Sequence, residues 1–173
     1  GPAIMDILPE ITQRASIRDF TDQPVTKDQL ERILEAGRLA PSAKNRQAWR
    51  FIVVQDAENK AKLEAACFGQ EYVGQASAVI AGCTTNVEYQ MPNGQLSYPV
   101  DLSIAMSFMM LQVVREGLGS CPVTTFRESD VKALLTVPYS MRVVMLLPIG
   151  YPATEPDTEH RHPMNRIVSW EHW

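Results

Sequence analysis

The stretch "DLSIAMSFMMLQVVREGLG", Asp101 to Gly119, constrains this chain more than any other. Leu102, Ile104, Met106, Phe108, Met109, Leu111, Val113 and Val114 fall on nearly every side of a helix. The pattern predicts a helix over about residues 100–116, stopped by Gly117 and Gly119. A helix that is apolar all round has to be buried all round. With 173 residues in one domain, that is hard to arrange inside a single chain. Two readings are open: a second copy of the chain covers the outer side, which is favoured, or the helix is the central core of a monomer.

The rest of the pattern is more local. Thr26 followed by Gln29 fits a capping box, and Leu30, Ile33, Leu34 and Gly37 share one face, so a helix is expected over about 27–39. Ile4 to Ile11 reads as a short first helix interrupted by Pro9. "WRFIVVQD", "SAVIAGCTT" and "RVVMLLPIGYP" read as buried strands, with Asp56 capping a helix through about Ala66. "CPVTTF" reads as a short extended segment and "ESDVKALL" as a small helix. Asn86 to Pro99 is a polar loop with the turn signal "PNG". Helices and strands mix without strict alternation, which favours α+β over a doubly wound sheet. No linker or repeat divides the chain, so residues 1–173 form one domain. Gly1 and Pro2 fit the scar of a cleaved tag, and 153–173 form a polar C-terminal tail.

Composition excludes some partners. A net charge of −4 argues against nucleic acid, which calls for a basic surface. No apolar run reaches the ~18 residues that span a bilayer, and no secretory signal is visible. Cys67, Cys83 and Cys121 are odd in number and far apart, which favours free thiols in a reducing, cytoplasmic setting. His160 and His162 lack further ligands in the sequence, so a solvated tail is favoured over a metal site.

Two stretches could carry chemistry. In "RASIRDF", Arg14 and Arg18 flank Ser16; guanidinium forks and a hydroxyl suit a phosphate, although two solvated arginines are the commoner case. In "APSAKNRQAW", Ser42, Asn45 and Gln47 could read the polar edge of a planar ring, or merely cap a helix end. There is no GxGxxG, Walker loop, HExxH or GxSxG. The side chains are poor in nucleophiles and bases, so a cofactor would have to carry any reaction.

"RASIRDF", "APSAKNRQAWRFIVV", "GLGSCPVTTF", "GYP" and "RHPMNRIV", taken in order, resemble the flavin-dependent nitroreductase family over about residues 11–170. The resemblance implies an α+β sandwich with a central, mostly antiparallel sheet flanked by helices. It also implies an intertwined homodimer with FMN at the subunit interface and the tail packed on the partner subunit. Arg14, the backbone of Ala15, Ser16 and Arg18 match positions that hold the phosphate and the flavin's polar edge. Pro41, Ser42 and Asn45 match a loop reaching the flavin of the other subunit. Pro122, Val123, Thr124 and Thr125 match the segment passing the ring near N5, and Arg161 matches a late arginine on the phosphate. No side chain is catalytic in this reading. NADH or NADPH reduces the flavin, which then reduces an electron-poor acceptor such as a nitroaromatic or quinone. Alternatives are a non-catalytic FMN-binding or storage protein, or a specialised reaction such as reductive dehalogenation or flavin fragmentation. Departures from the family pattern include Ala15 and Glu159 where many relatives carry basic residues, and Ala48 in place of Pro.

Overall fold

The computed structural model describes residues 6–173. Gly1 and Pro2 lie outside the described residues, as do Ile4 and Met5, which the pattern places in a first helix. The helix found nearby, α1, runs Pro9–Gln13. Pro9 starts it rather than interrupting it: at the first helical position the missing N–H is no loss and φ is already set.

Helix α2 spans Lys27–Arg38 and opens on the expected capping box. The Gln29 N–H donates to Thr26 Oγ1 at 3.1 Å, and the Thr26 N–H donates to Gln29 Oε1 at 2.9 Å. Asp56 caps α3, Ala57–Ala66, by accepting the Asn59 N–H at 3.0 Å. A short α4, Glu71–Gln75, follows without a sequence signal, since five residues hold too little apolar period and bury only Val73.

Helix α5 runs Ser97–Arg115, three residues ahead of the expected start. Pro99 lies in its first turn, where a missing N–H breaks no helical bond. By length and composition α5 could cross a bilayer, contrary to the expectation that no run qualifies. In the fold it packs on α2 and on the sheet. Leu102, Ala105, Met106, Met109 and Val113 are fully buried there. The two helices touch closely because Gly37 has no Cβ; one would collide with Met109. The outer side of α5 is not covered within the chain. Phe108 stays 40% exposed and Val100 38%, so all-round burial is not met by one chain.

The strands are β1 (Trp49–Val54), β2 (Ala78–Thr84), β3 (Gly119–Ser120) and β4 (Arg142–Gly150). They form one sheet in the order β1-β2-β4-β3, with every pairing antiparallel. All of β2 is buried, which is why "SAVIAGCTT" shows no polar alternation. Its period of two sends Val79, Ala81 and Cys83 toward α3 and α6 (Glu128–Leu135), and Ile80 toward α2 and α5. The result is an α+β sandwich with an apolar cluster on each sheet face. After Ala153 the chain leaves this body as an exposed tail, which carries a short α7, Met164–Ile167, that the pattern does not announce.

Candidate functional site

Residues 14–20 run extended along the edge of the sheet. The Ile17 N–H donates to the Ser120 carbonyl at 2.9 Å, the Thr21 N–H to Tyr151 at 2.8 Å, and the Ala153 N–H to Asp19 at 2.9 Å. Gly119 lets this run approach, because a Cβ there would press into Ile17. Ile17 turns into the core. With a period of two, Ser16 and Arg18 then share the opposite face.

The Pro122–Thr125 segment follows β3 directly. Val123 exchanges both backbone hydrogen bonds with Leu146, at 2.8 and 2.9 Å. Its side chain is buried while Thr124 and Thr125 are exposed. One sheet edge thus carries both the arginine-rich run and the segment expected near a flavin ring.

The tail returns over this edge at Glu159. Arg161 Nη2 donates to Glu159 Oε2 at 2.8 Å, and Arg14 Nη2 lies 3.7 Å from the same oxygen. Arg161 chiefly holds the Glu159 carboxyl below its ordinary range, against a smaller opposing effect of burial; Arg14 and the Ser16 backbone amide add to the lowering. Arg14 and Arg161 therefore converge on one carboxylate, with Ser16 beside it. This donor set fits a phosphate, with the carboxylate standing in as the anion. A cavity of about 330 Å³ opens beside it; Ser16 and Arg18 line it together with four acidic residues, Asp19, Glu155, Asp157 and Glu159.

Two neighbours were not foreseen. The Tyr72 hydroxyl donates to Gln70 Oε1 at 2.7 Å, and Gln70 Nε2 donates to the carbonyls of Cys67 at 2.9 Å and Thr125 at 3.3 Å. Burial raises the Tyr72 hydroxyl's pKa, and Cys121 adds to the rise while Arg18 opposes it. Gln70 thus ties Tyr72 to the 122–125 segment through the Thr125 carbonyl. They sit beside or in a helix too short to leave a pattern. All three cysteines are free. Burial pushes the thiols of Cys67 and Cys83 up to about 11, so they are unreactive at neutral pH.

Pro41, Ser42 and Asn45 lie elsewhere. Their loop is a tight turn, Ala43–Asn45, with Lys44, Asn45 and Gln47 at φ near 53, 53 and 54°. The buried Asp101 of α5 accepts the Ala43 N–H at 2.9 Å, and Ser42 Oγ accepts the Gln47 N–H at 3.0 Å. The Arg46 guanidinium rests 3.8 Å from the centre of the Tyr89 ring. This loop leads into Trp49, which aligns through Thr84 with Arg142 of β4, whereas Ser16 aligns through Ser120 with Ile149. At strand dimensions that seven-residue offset is roughly 23 Å. A single chain therefore brings together Arg14, Ala15, Ser16, Arg18, Pro122 to Thr125 and Arg161, and leaves Pro41, Ser42 and Asn45 apart.

A four-stranded antiparallel sheet with a helical layer on each face defines an α+β sandwich, and at one sheet edge two arginines meet on a single carboxylate. Residues 11–99 and 94–151 match the nitroreductase family model, and the chain belongs to that family. It is 36% identical to a putative NADH dehydrogenase/NAD(P)H nitroreductase of Archaeoglobus fulgidus, over 88% of each chain. It is 29% identical to the FMN reductase [NAD(P)H] of Bacillus subtilis, covering 94% of this chain and 72% of that one. A crystal structure of a nitroreductase family protein from Clostridium difficile superposes with a TM-score of 0.87 at 29% identity, covering 98% of this chain and all of the other. Membership carries the class of chemistry with it, FMN-dependent oxidation of NAD(P)H.

Proposed function

We propose that the chain is a homodimeric FMN oxidoreductase that passes electrons from NADH or NADPH to an electron-poor acceptor such as a nitroaromatic or quinone. The observation that carries this reading is the convergence of Arg14 and Arg161 on one carboxylate, next to Ser16 and beside the Pro122–Thr125 edge. FMN, when bound, supplies a ring that accepts a hydride from the nicotinamide and returns electrons to the acceptor.

The chain's own work is to bind and orient. Arg14, Ser16, Arg18 and Arg161 hold the phosphate through charge-assisted hydrogen bonds, with the Ala15 backbone alongside. Pro122, Val123, Thr124 and Thr125 border the ring from a rigid edge. Pro41, Ser42 and Asn45 of the partner subunit close the other side. Holding donor and acceptor in contact is where most of the rate gain arises.

Three observations support the dimer. The outer side of α5 is apolar and exposed at Phe108. Leu8, Leu39, Phe108 and Leu111 line an apolar groove of about 740 Å³ between α1, α2 and α5. The tail exposes Met164, Ile167, Trp170 and Trp173 and has no apolar cover of its own, which suits packing on the partner subunit. Free, buried cysteines agree with a cytoplasmic setting.

The visible spectrum of the purified protein, before and after anaerobic NADH or NADPH, tests the function. A flavin spectrum that bleaches with nicotinamide and recovers with a quinone supports it. A flavin that NADH and NADPH both leave oxidised would return the chain to FMN storage. Flavin released by denaturation should be FMN and not FAD. Light scattering should give twice the 19.4 kDa chain mass.

A further inference from the structure

Glu159 is an acid inside a seat built for an anion. Its carboxylate receives Arg161 at 2.8 Å and lies 3.7 Å from Arg14. Those two arginines are, with Arg18, the cations this chain offers to the flavin phosphate. A phosphate carrying about −1.5 to −2 charges cannot share that seat with a carboxylate without strong like-charge repulsion. One of the two has to leave.

Glu159 is the group free to leave. It belongs to the tail beyond Ala153, and among the described residues no backbone–backbone hydrogen bond ties residues 154–162 to the body. Arg161 sits two residues on in the same tail, so the ion pair with Arg14 at 3.7 Å is the side-chain link between Glu159 and the body. Displacing Glu159 breaks partly exposed ion pairs, and such pairs are individually weak. Arg14 is held less loosely, since its backbone N–H is bonded to the Glu10 carbonyl at 3.1 Å.

We propose that the Glu159 carboxylate occupies the seat of the flavin phosphate, and that FMN binds by displacing it. Every FMN that enters exchanges one anion for another, so the net gain from Arg14 and Arg161 is reduced. FMN is then held loosely enough to exchange with solution. Riboflavin, which has no phosphate, leaves the Glu159 pairs in place. Glu159 thereby narrows the preference for FMN over riboflavin. The proposal rests on the reading of Arg14 and Arg161 as phosphate ligands.

The test is titration of apo-protein with FMN and with riboflavin, followed by flavin fluorescence, together with the rate of flavin release on dilution. Removing the competing charge in Glu159→Gln should tighten FMN about three- to tenfold, the worth of one or two exposed ion pairs. Release of FMN should slow to match, while riboflavin affinity stays unchanged. Glu159→Lys adds a further cation and should tighten FMN at least as much. Unchanged or weaker FMN binding in Glu159→Gln, with Arg14→Ala still weakening FMN, would overturn the displacement and leave the phosphate site standing. Loss of no affinity in Arg14→Ala would overturn both together.

Discussion

The two groups of site residues are held in place by opposite means. The run from Arg14 to Arg18 and the segment from Pro122 to Thr125 are extended chain, hydrogen-bonded by backbone to a sheet edge. Backbone does the holding, so side chains are left free to bind. The loop carrying Ser42 and Asn45 has three non-glycine residues at positive φ. Each such residue costs about 1–2 kcal/mol, so the turn persists only because other groups hold it. The Asp101 carboxylate is the buried anchor at the Ala43 turn, while the buried Thr84 hydroxyl holds the Ala48 carbonyl where the loop enters the sheet. The first half should therefore tolerate side-chain changes with little structural loss. The second half should not. Because Asp101 sits on α5, whose outer side waits for cover, loop placement and dimer formation share one helix.

The largest effect expected comes from mixing two defective chains. Arg14→Ala damages the edge half and Asp101→Ala the loop half, and each homodimer should bind FMN poorly. If each site takes one half from each subunit, a reassorted equal mixture contains mixed dimers with one intact site. About a quarter of all sites should then regain near-normal affinity. Flavin binding after mixing and refolding measures this. No recovery would mean that both halves of a site come from one chain, against the roughly 23 Å offset along the strands.

Next in size is Asp101→Ala on stability. The substitution removes a charged acceptor, worth about 1.5–3 kcal/mol, and strands the Ala43 N–H. We expect a loss of about 3 kcal/mol by urea denaturation, with Asp101→Asn recovering at least half because it keeps an acceptor. FMN and riboflavin should lose affinity equally, since the loop faces the ring and not the phosphate. A loss confined to FMN would erase the distinction between the halves.

Arg14→Ala should show the reverse profile. At roughly 1.5–3 kcal/mol for a charge-assisted contact, FMN binding should weaken about ten- to a hundredfold. Riboflavin binding and the unfolding midpoint should barely move. Arg14→Lys should recover part of the loss, because an ammonium keeps the charge without the fork. Equal losses for both flavins would move Arg14 out of the phosphate site.

The two halves also differ in how legible they were. Helix α2 could be read because Thr26 and Gln29 settle its start locally. The strands could be read because runs such as Ala78–Thr84 are apolar throughout. The apolarity of α5 was plain, but which side the chain itself covers depends on where the sheet lies, and no helical pattern states that. The pairing of Ser16 with Ser120 joins residues far apart in sequence, so only the family resemblance anticipated it. Gln70 and Tyr72 left no signal because α4 is too short for a period. The contact between Glu159 and Arg14 depends on the path of a tail held by side chains alone.

The smallest effect tests the second tie on the loop, where the Arg46 guanidinium lies 3.8 Å from the centre of the Tyr89 ring. A cation over an exposed aromatic face is worth about 0.5–1 kcal/mol. Tyr89→Leu removes the ring's electron-rich face while keeping apolar bulk. Stability should fall by no more than about 1 kcal/mol, and affinity for both flavins by less than about fivefold. Tyr89→Phe keeps the face and should be close to neutral. The comparison with Asp101→Ala then ranks the two ties. If Tyr89→Leu costs as much as Asp101→Ala, the loop is held from the 86–96 side as firmly as from α5. A near-neutral Tyr89→Leu beside a severe Asp101→Ala would leave α5 as the element that sets where Ser42 and Asn45 stand.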